Sequence, residues 1–86
     1  MEVSGDGTSE LEVRRLVGDH QQTMLVFNHS SAAADASIAV RLPWAVQQAR
    51  ELETDEAVLF RAEAGRTTFH KRFLAGEIWV FSVRPS

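Results

Sequence analysis

Histidine, serine and aspartate come closest together at His29, Ser30, Ser31 and Asp35. These are the residue types of a hydrolytic triad, in which an imidazole takes the proton of a serine hydroxyl and a carboxylate holds the ring. No GxSxG elbow surrounds either serine to present it from a strained turn. The spacing therefore reads as hydrogen-bonded turn residues. His20, His29 and His70 are the imidazoles available to a metal, and they share no ligand spacing; they read as surface histidines. Glu51, Glu53, Asp55 and Glu56 gather carboxylates of the kind that glycosidases and calcium sites use. The EF-hand pattern is absent, and the segment reads as a solvated hairpin turn. The chain has no cysteine, which removes disulfides, thiolate zinc sites and cysteine nucleophiles together. None of these groups calls for a cofactor or a metal, and no catalytic site is expected.

The aromatic residues suggest a different chemistry. Sugar-binding modules stack rings on the apolar faces of pyranoses. Trp79 lies in the most hydrophobic segment and reads as core. Trp44 follows Pro43 at a strand exit and is the candidate carbohydrate-binding residue, against a competing reading of core packing or a domain interface. Asn28-His29-Ser30 matches the N-glycosylation sequon. It falls at a strand end in a chain with no export signal, and reads as coincidental.

These residues must be carried by 86 residues, enough for one domain with a thin core. Net charge is −3, from 9 basic and 12 acidic side chains, the reverse of the balance that phosphate binding favours. A nucleic-acid partner is thus not expected. The apolar runs Met24–Phe27 and Ile78–Phe81 are far shorter than the roughly 20 residues of a membrane helix. The acidic, glycine-containing N-terminus is no signal peptide. With the missing cysteines, this makes the cytoplasm the expected location, with no membrane partner.

Residues 1–8 lack periodicity and read as a flexible lead-in or linker, with a single domain over residues 9–86. Strands are expected near Glu10–Val17, Thr23–His29, Ser37–Leu42, Ala57–Arg61, Thr68–Phe73 and Glu77–Val83. Turn residues separate them, including a polar turn at 18–22 and a small, polar loop at 30–35. Residues 44–52 admit a short helix burying Val46, Ala49 and Leu52, or a loop followed by a short strand near Ala49–Glu53. The pattern predicts an all-β fold, a small antiparallel β-sandwich of six to seven strands. Two strands are apolar on both faces: Met24 and Val26 against Leu25 and Phe27, and Ile78 and Val80 against Trp79, Phe81 and Val83. One sandwich cannot hide all of them, so a neighbouring body is expected over the surplus face.

Three segments carry a family resemblance. Leu11-Glu12-Val13-Arg14-Arg15 leading into Met24-Leu25-Val26-Phe27-Asn28-His29-Ser30 resembles the pattern VEVR … LFVFNHT. Ala49-Arg50-Glu51-Leu52-Glu53-Thr54-Asp55-Glu56-Ala57-Val58 is similar to the hairpin ARDLLTGEEV. Leu74-Ala75-Gly76-Glu77-Ile78-Trp79-Val80-Phe81 looks like a closing L-x-P-G-E-V-x-V-x strand. In this order they resemble the C-terminal β-sandwich domain of glycoside hydrolases, closest to that of family 42 β-galactosidases, with the α-amylase-type domain similar. Asp55 replaces the pattern's glycine and Ala75 its proline, and the stretch from Arg61 to Lys71 is longer than that family's. The resemblance implies a non-catalytic accessory domain whose partner is the catalytic (β/α)8 barrel of a parent enzyme. Such a barrel needs roughly 200 residues or more and carries the catalytic carboxylates. The alternative function is a carbohydrate-binding module acting through Trp44.

Overall fold

The computed structural model describes residues 2–63 and 65–85. The strands are β1 (Glu2–Asp6), β2 (Leu11–Val17), β3 (Gln22–Asn28), β4 (Ala34–Arg41), β5 (Gln48–Glu51), β6 (Phe60–Glu63), β7 (Arg66–Phe73) and β8 (Ile78–Arg84). A single 3-10 turn at Thr8–Glu10 is the one helical element among the described residues. The first sheet runs β1-β4-β7-β6 and the second β2-β3-β8-β5, with every neighbouring pair antiparallel. Only β2–β3 and β6–β7 are hairpins within one sheet; every other connection crosses between layers. The fold is an all-β sandwich, as the alternation predicted, with eight strands instead of six to seven. Among the described residues no helix is long and apolar enough to cross a membrane.

The core lies between the central strands. β3 contributes Met24 and Val26, β8 contributes Trp79, Phe81 and Val83, and β7 contributes Phe69 and Phe73, all buried. The rings of Phe69 and Phe81 meet across the two sheets at 4.7 Å, and Trp79 and Phe81 lie 4.3 Å apart along β8. Each such ring pair adds about 0.5–1.5 kcal/mol beyond area burial. Next to β7 in the same sheet, β4 places Ala34 beside Phe73 and Ile38 beside Phe69.

Two expectations needed correction. Residues 2–6 are not a lead-in but the edge strand β1, paired with β4. Gly5 reads as linker flexibility in the sequence, yet it has φ +119°, and a Cβ there would stand 2.0 Å from the carbonyl oxygen of Asp35. Only glycine permits that approach. β4 begins at Ala34 inside the expected loop, because Ala34 and Ala36 are small enough to line the core, both at most 2% exposed. Of the two alternatives for residues 44–52, the structure has the loop followed by a short strand, β5. The sheet edge takes up their backbone groups: Gln47 N–H bonds Arg84 O at 2.8 Å and Leu52 N–H bonds Val80 O at 3.0 Å. Val46 and Ala49 are buried but Leu52 is 54% exposed, so no helical stripe exists.

Candidate functional site

Register assembles a continuous apolar surface on the outer face of the second sheet. Phe27 sits between Glu12 and Ile78, Leu25 between Arg14 and Val80, and Thr23 between Leu16 and Ser82. Leu52 joins beside Val80 through its backbone bond. Leu16, Leu25, Phe27, Leu52, Ile78 and Val80 thereby form one patch, in which Leu16 is 71% and Ile78 49% exposed. Covering a side chain of this size stabilises by about 1–2 kcal/mol. The two doubly apolar strands of the sequence are thus adjacent, with their surplus faces on the same side.

A small polar assembly edges this patch. The His29 ring stacks on Phe27 with centroids 4.2 Å apart, and its Nε2 lies 2.7 Å from Glu12 Oε1. Arg14 Nε also donates to Glu12. The hydrogen bond from Arg14 first, and that from His29 second, hold the Glu12 carboxyl below the ordinary glutamate value.

The outer face of the first sheet is polar. Ser37 stands opposite His70, and Asp35 opposite Arg72. His70 Nε2 is 2.8 Å from Asp35 Oδ1, and its Nδ1 is 3.1 Å from Ser37 Oγ. The triad residue types of the 29–35 segment are therefore separated. His29 goes to Glu12, and Asp35 goes to a histidine 35 residues away. The Ser30 hydroxyl accepts the Ala32 N–H at 3.0 Å. The signal for Ser37 and His70 was the polar side of two alternating strands; their pairing is a property of register alone. No three His, Cys, Asp or Glu side chains group into a metal site among the described residues.

No family model, characterised protein or solved structure matches this chain.

Asn28, the first residue of the sequon, is fully buried. Its Nδ2 donates to Ala32 O at 2.9 Å and Leu74 O at 3.1 Å, and its Oδ1 accepts the Ser30 N–H at 3.1 Å. It ties the end of β3 to two loops and is not presented for modification. Trp44 is half-buried and packs against the core. It lines an open depression of about 400 Å³ with Leu42, Pro43, Glu63, Arg66 and Thr67. The acidic segment is a hairpin turn: Glu51 N–H bonds Glu56 O at 2.9 Å, and Arg50 Nη1 bonds Asp55 O at 2.9 Å. Asp55 has φ +57°. That left-handed conformation suits the glycine of the resembling pattern, and aspartate adopts it more readily than most residues.

Proposed function

We propose that this domain is the accessory β-sandwich of a glycoside hydrolase, and that it acts by packing on the catalytic (β/α)8 barrel. The observation that carries the reading is the apolar outer face of the second sheet. Contiguous apolar surface on an otherwise solvated domain is what a permanent interface leaves behind when the partner is removed. The order of the three resembling segments supports the choice of partner. Two of them, on β2–β3 and on β8, supply Leu25, Phe27, Ile78 and Val80 of the patch, the one at the β5 turn supplies Leu52, and Leu16 follows directly on the first. The domain's part in that assembly is structural.

A second reading, a carbohydrate-binding module, is favoured by one feature: the Trp44 depression combines a ring with Glu63, Arg66 and Thr67 as hydrogen-bonding neighbours. A single NMR experiment separates the two. The domain is titrated with a β-galactosidase barrel lacking its own C-terminal sandwich, and separately with galacto-oligosaccharides. The packing role requires saturable shifts at Leu25, Phe27, Ile78 and Val80 with the barrel and none with sugar. Shifts confined to the surroundings of Trp44 on sugar addition replace it with the binding module. No response to the barrel defeats it.

A further inference from the structure

Asp35, Ser37 and His70 lie on the sheet opposite the docking face, on the adjacent strands β4 and β7. A carboxylate can only accept a hydrogen bond, so in the neutral imidazole the proton belongs on Nε2, directed at Asp35, and Nδ1 accepts from the Ser37 hydroxyl. This is the order nucleophile, base, orienting acid. Ser37 and His70 also line an open depression of about 470 Å³ with Leu59, Phe60, Arg61 and Thr68. Leu59, 88% exposed, offers apolar surface to a short acyl chain, and Arg61 brings a cation to the same depression. Both strands are interior to their sheet. Their backbone amides are used in the ladder, so Arg61 is the group placed to meet a developing oxyanion.

We infer that Ser37 is an activated nucleophile that accepts acyl groups from activated esters of small apolar acids. Ser37 Oγ bonds to the ester carbonyl carbon as its proton passes to His70 Nδ1. The tetrahedral oxyanion collapses, the bond from carbon to the leaving oxygen breaks, and the imidazolium returns the proton to that oxygen. Water then attacks the acyl carbon while His70 accepts its proton; the bond from that carbon to Ser37 Oγ breaks, the imidazolium returns the proton to Oγ, and the free acid leaves. Asp35 is a positioning residue: it holds the tautomer and ring orientation. A positioned general base contributes roughly 10²- to 10⁴-fold. A solvated site with one charged stabiliser belongs near the lower end.

The test is incubation of the chain with p-nitrophenyl acetate, following nitrophenolate release and locating the acetyl group by peptide mass spectrometry. Acetylation at Ser37 and not at the exposed Ser31 is expected, with release about 100-fold faster than in Ser37→Ala or His70→Gln. Asp35→Asn slows release, because the ring loses the partner that fixes its tautomer and orientation, and Asp35→Glu restores part of the rate. Release that persists in Ser37→Ala with acetyl on His70 means the imidazole attacks by itself and overturns the proposal. Equal acetylation of Ser31 and Ser37 also overturns it. Adduct location in the unmodified chain needs no variant to fold. Since this chemistry uses the other sheet, it stands or falls separately from docking.

Discussion

Replacing Asn28 with alanine removes three hydrogen bonds at once from a fully buried side chain. Each is worth about 0.5–1.5 kcal/mol net, and leaving its partner without a substitute raises the loss toward 1–3 kcal/mol. Ala32 and Leu74 are exposed, so their carbonyls have water at hand. The lower figures apply, and Asn28→Ala is expected to cost about 3 kcal/mol. A domain of 86 residues carries in all roughly 4–13 kcal/mol at about 0.05–0.15 per residue, so the loss shows as a large fall in urea midpoint at unchanged slope. Asn28→Asp is the sharper variant. It keeps an acceptor for the Ser30 N–H but turns a carboxylate oxygen toward two carbonyls. Burial and those oxygens raise that carboxyl's folded pKa above its unfolded value, so the variant is at its most stable in acid and loses stability as pH rises through the folded pKa. A loss below about 1 kcal/mol for Asn28→Ala, or an Asn28→Asp midpoint that follows the unmodified chain at every pH, refutes the assignment of Asn28 as the three-way tie. Glycan attached at Asn28 in a glycosylating host refutes it equally.

Gly5→Ala must displace the β1 backbone from Asp35 and adopt φ +119°; we expect rapid amide exchange across β1 and its β4 partners while the β3 and β8 amides stay protected, and uniform protection argues against the packing constraint. Ile78→Asp and Leu16→Asp alter side chains that are 49% and 71% exposed, so unfolding free energy should move by no more than about 0.5–1 kcal/mol while binding to the barrel is lost. Retained binding removes the second sheet from the interface. Burial works to raise the Glu77 carboxyl, but the Leu74 N–H at 2.8 Å and Lys71 Nζ at 3.0 Å outweigh it and hold it below the ordinary glutamate value. A depressed folded pKa stabilises above the unfolded value and is lost as pH falls through the folded one. Glu77→Gln should therefore flatten the acid limb of the urea midpoint against pH, and an unaltered limb contradicts the pairing.

Alternation alone determined much of this protein. Leu25 and Phe27 opposite Met24 and Val26, and Ile78 and Val80 opposite Trp79 and Phe81, follow from a side-chain period of two. So does the expectation that one sandwich leaves apolar surface over. Trp79 as core was legible for the same local reason, and so were the turns after β2 and β5, the first one residue shorter than the expected 18–22 because β3 begins at Gln22. Register and chain crossing are set by tertiary packing, and they decided the rest. Gly5 was indistinguishable from a flexible linker until Asp35 O occupied the place of its Cβ. Ala34 looked like a loop residue until pairing of β4 with β7 set it beside Phe73 in the core. Residues 44–52 have a pattern compatible with a helix, and the open edge of β8 claimed their backbone bonds instead. The histidine of the 29–35 segment went to Glu12 and its aspartate to His70, because partners across a sheet are chosen by strand pairing over tens of residues and not by nearness along the chain.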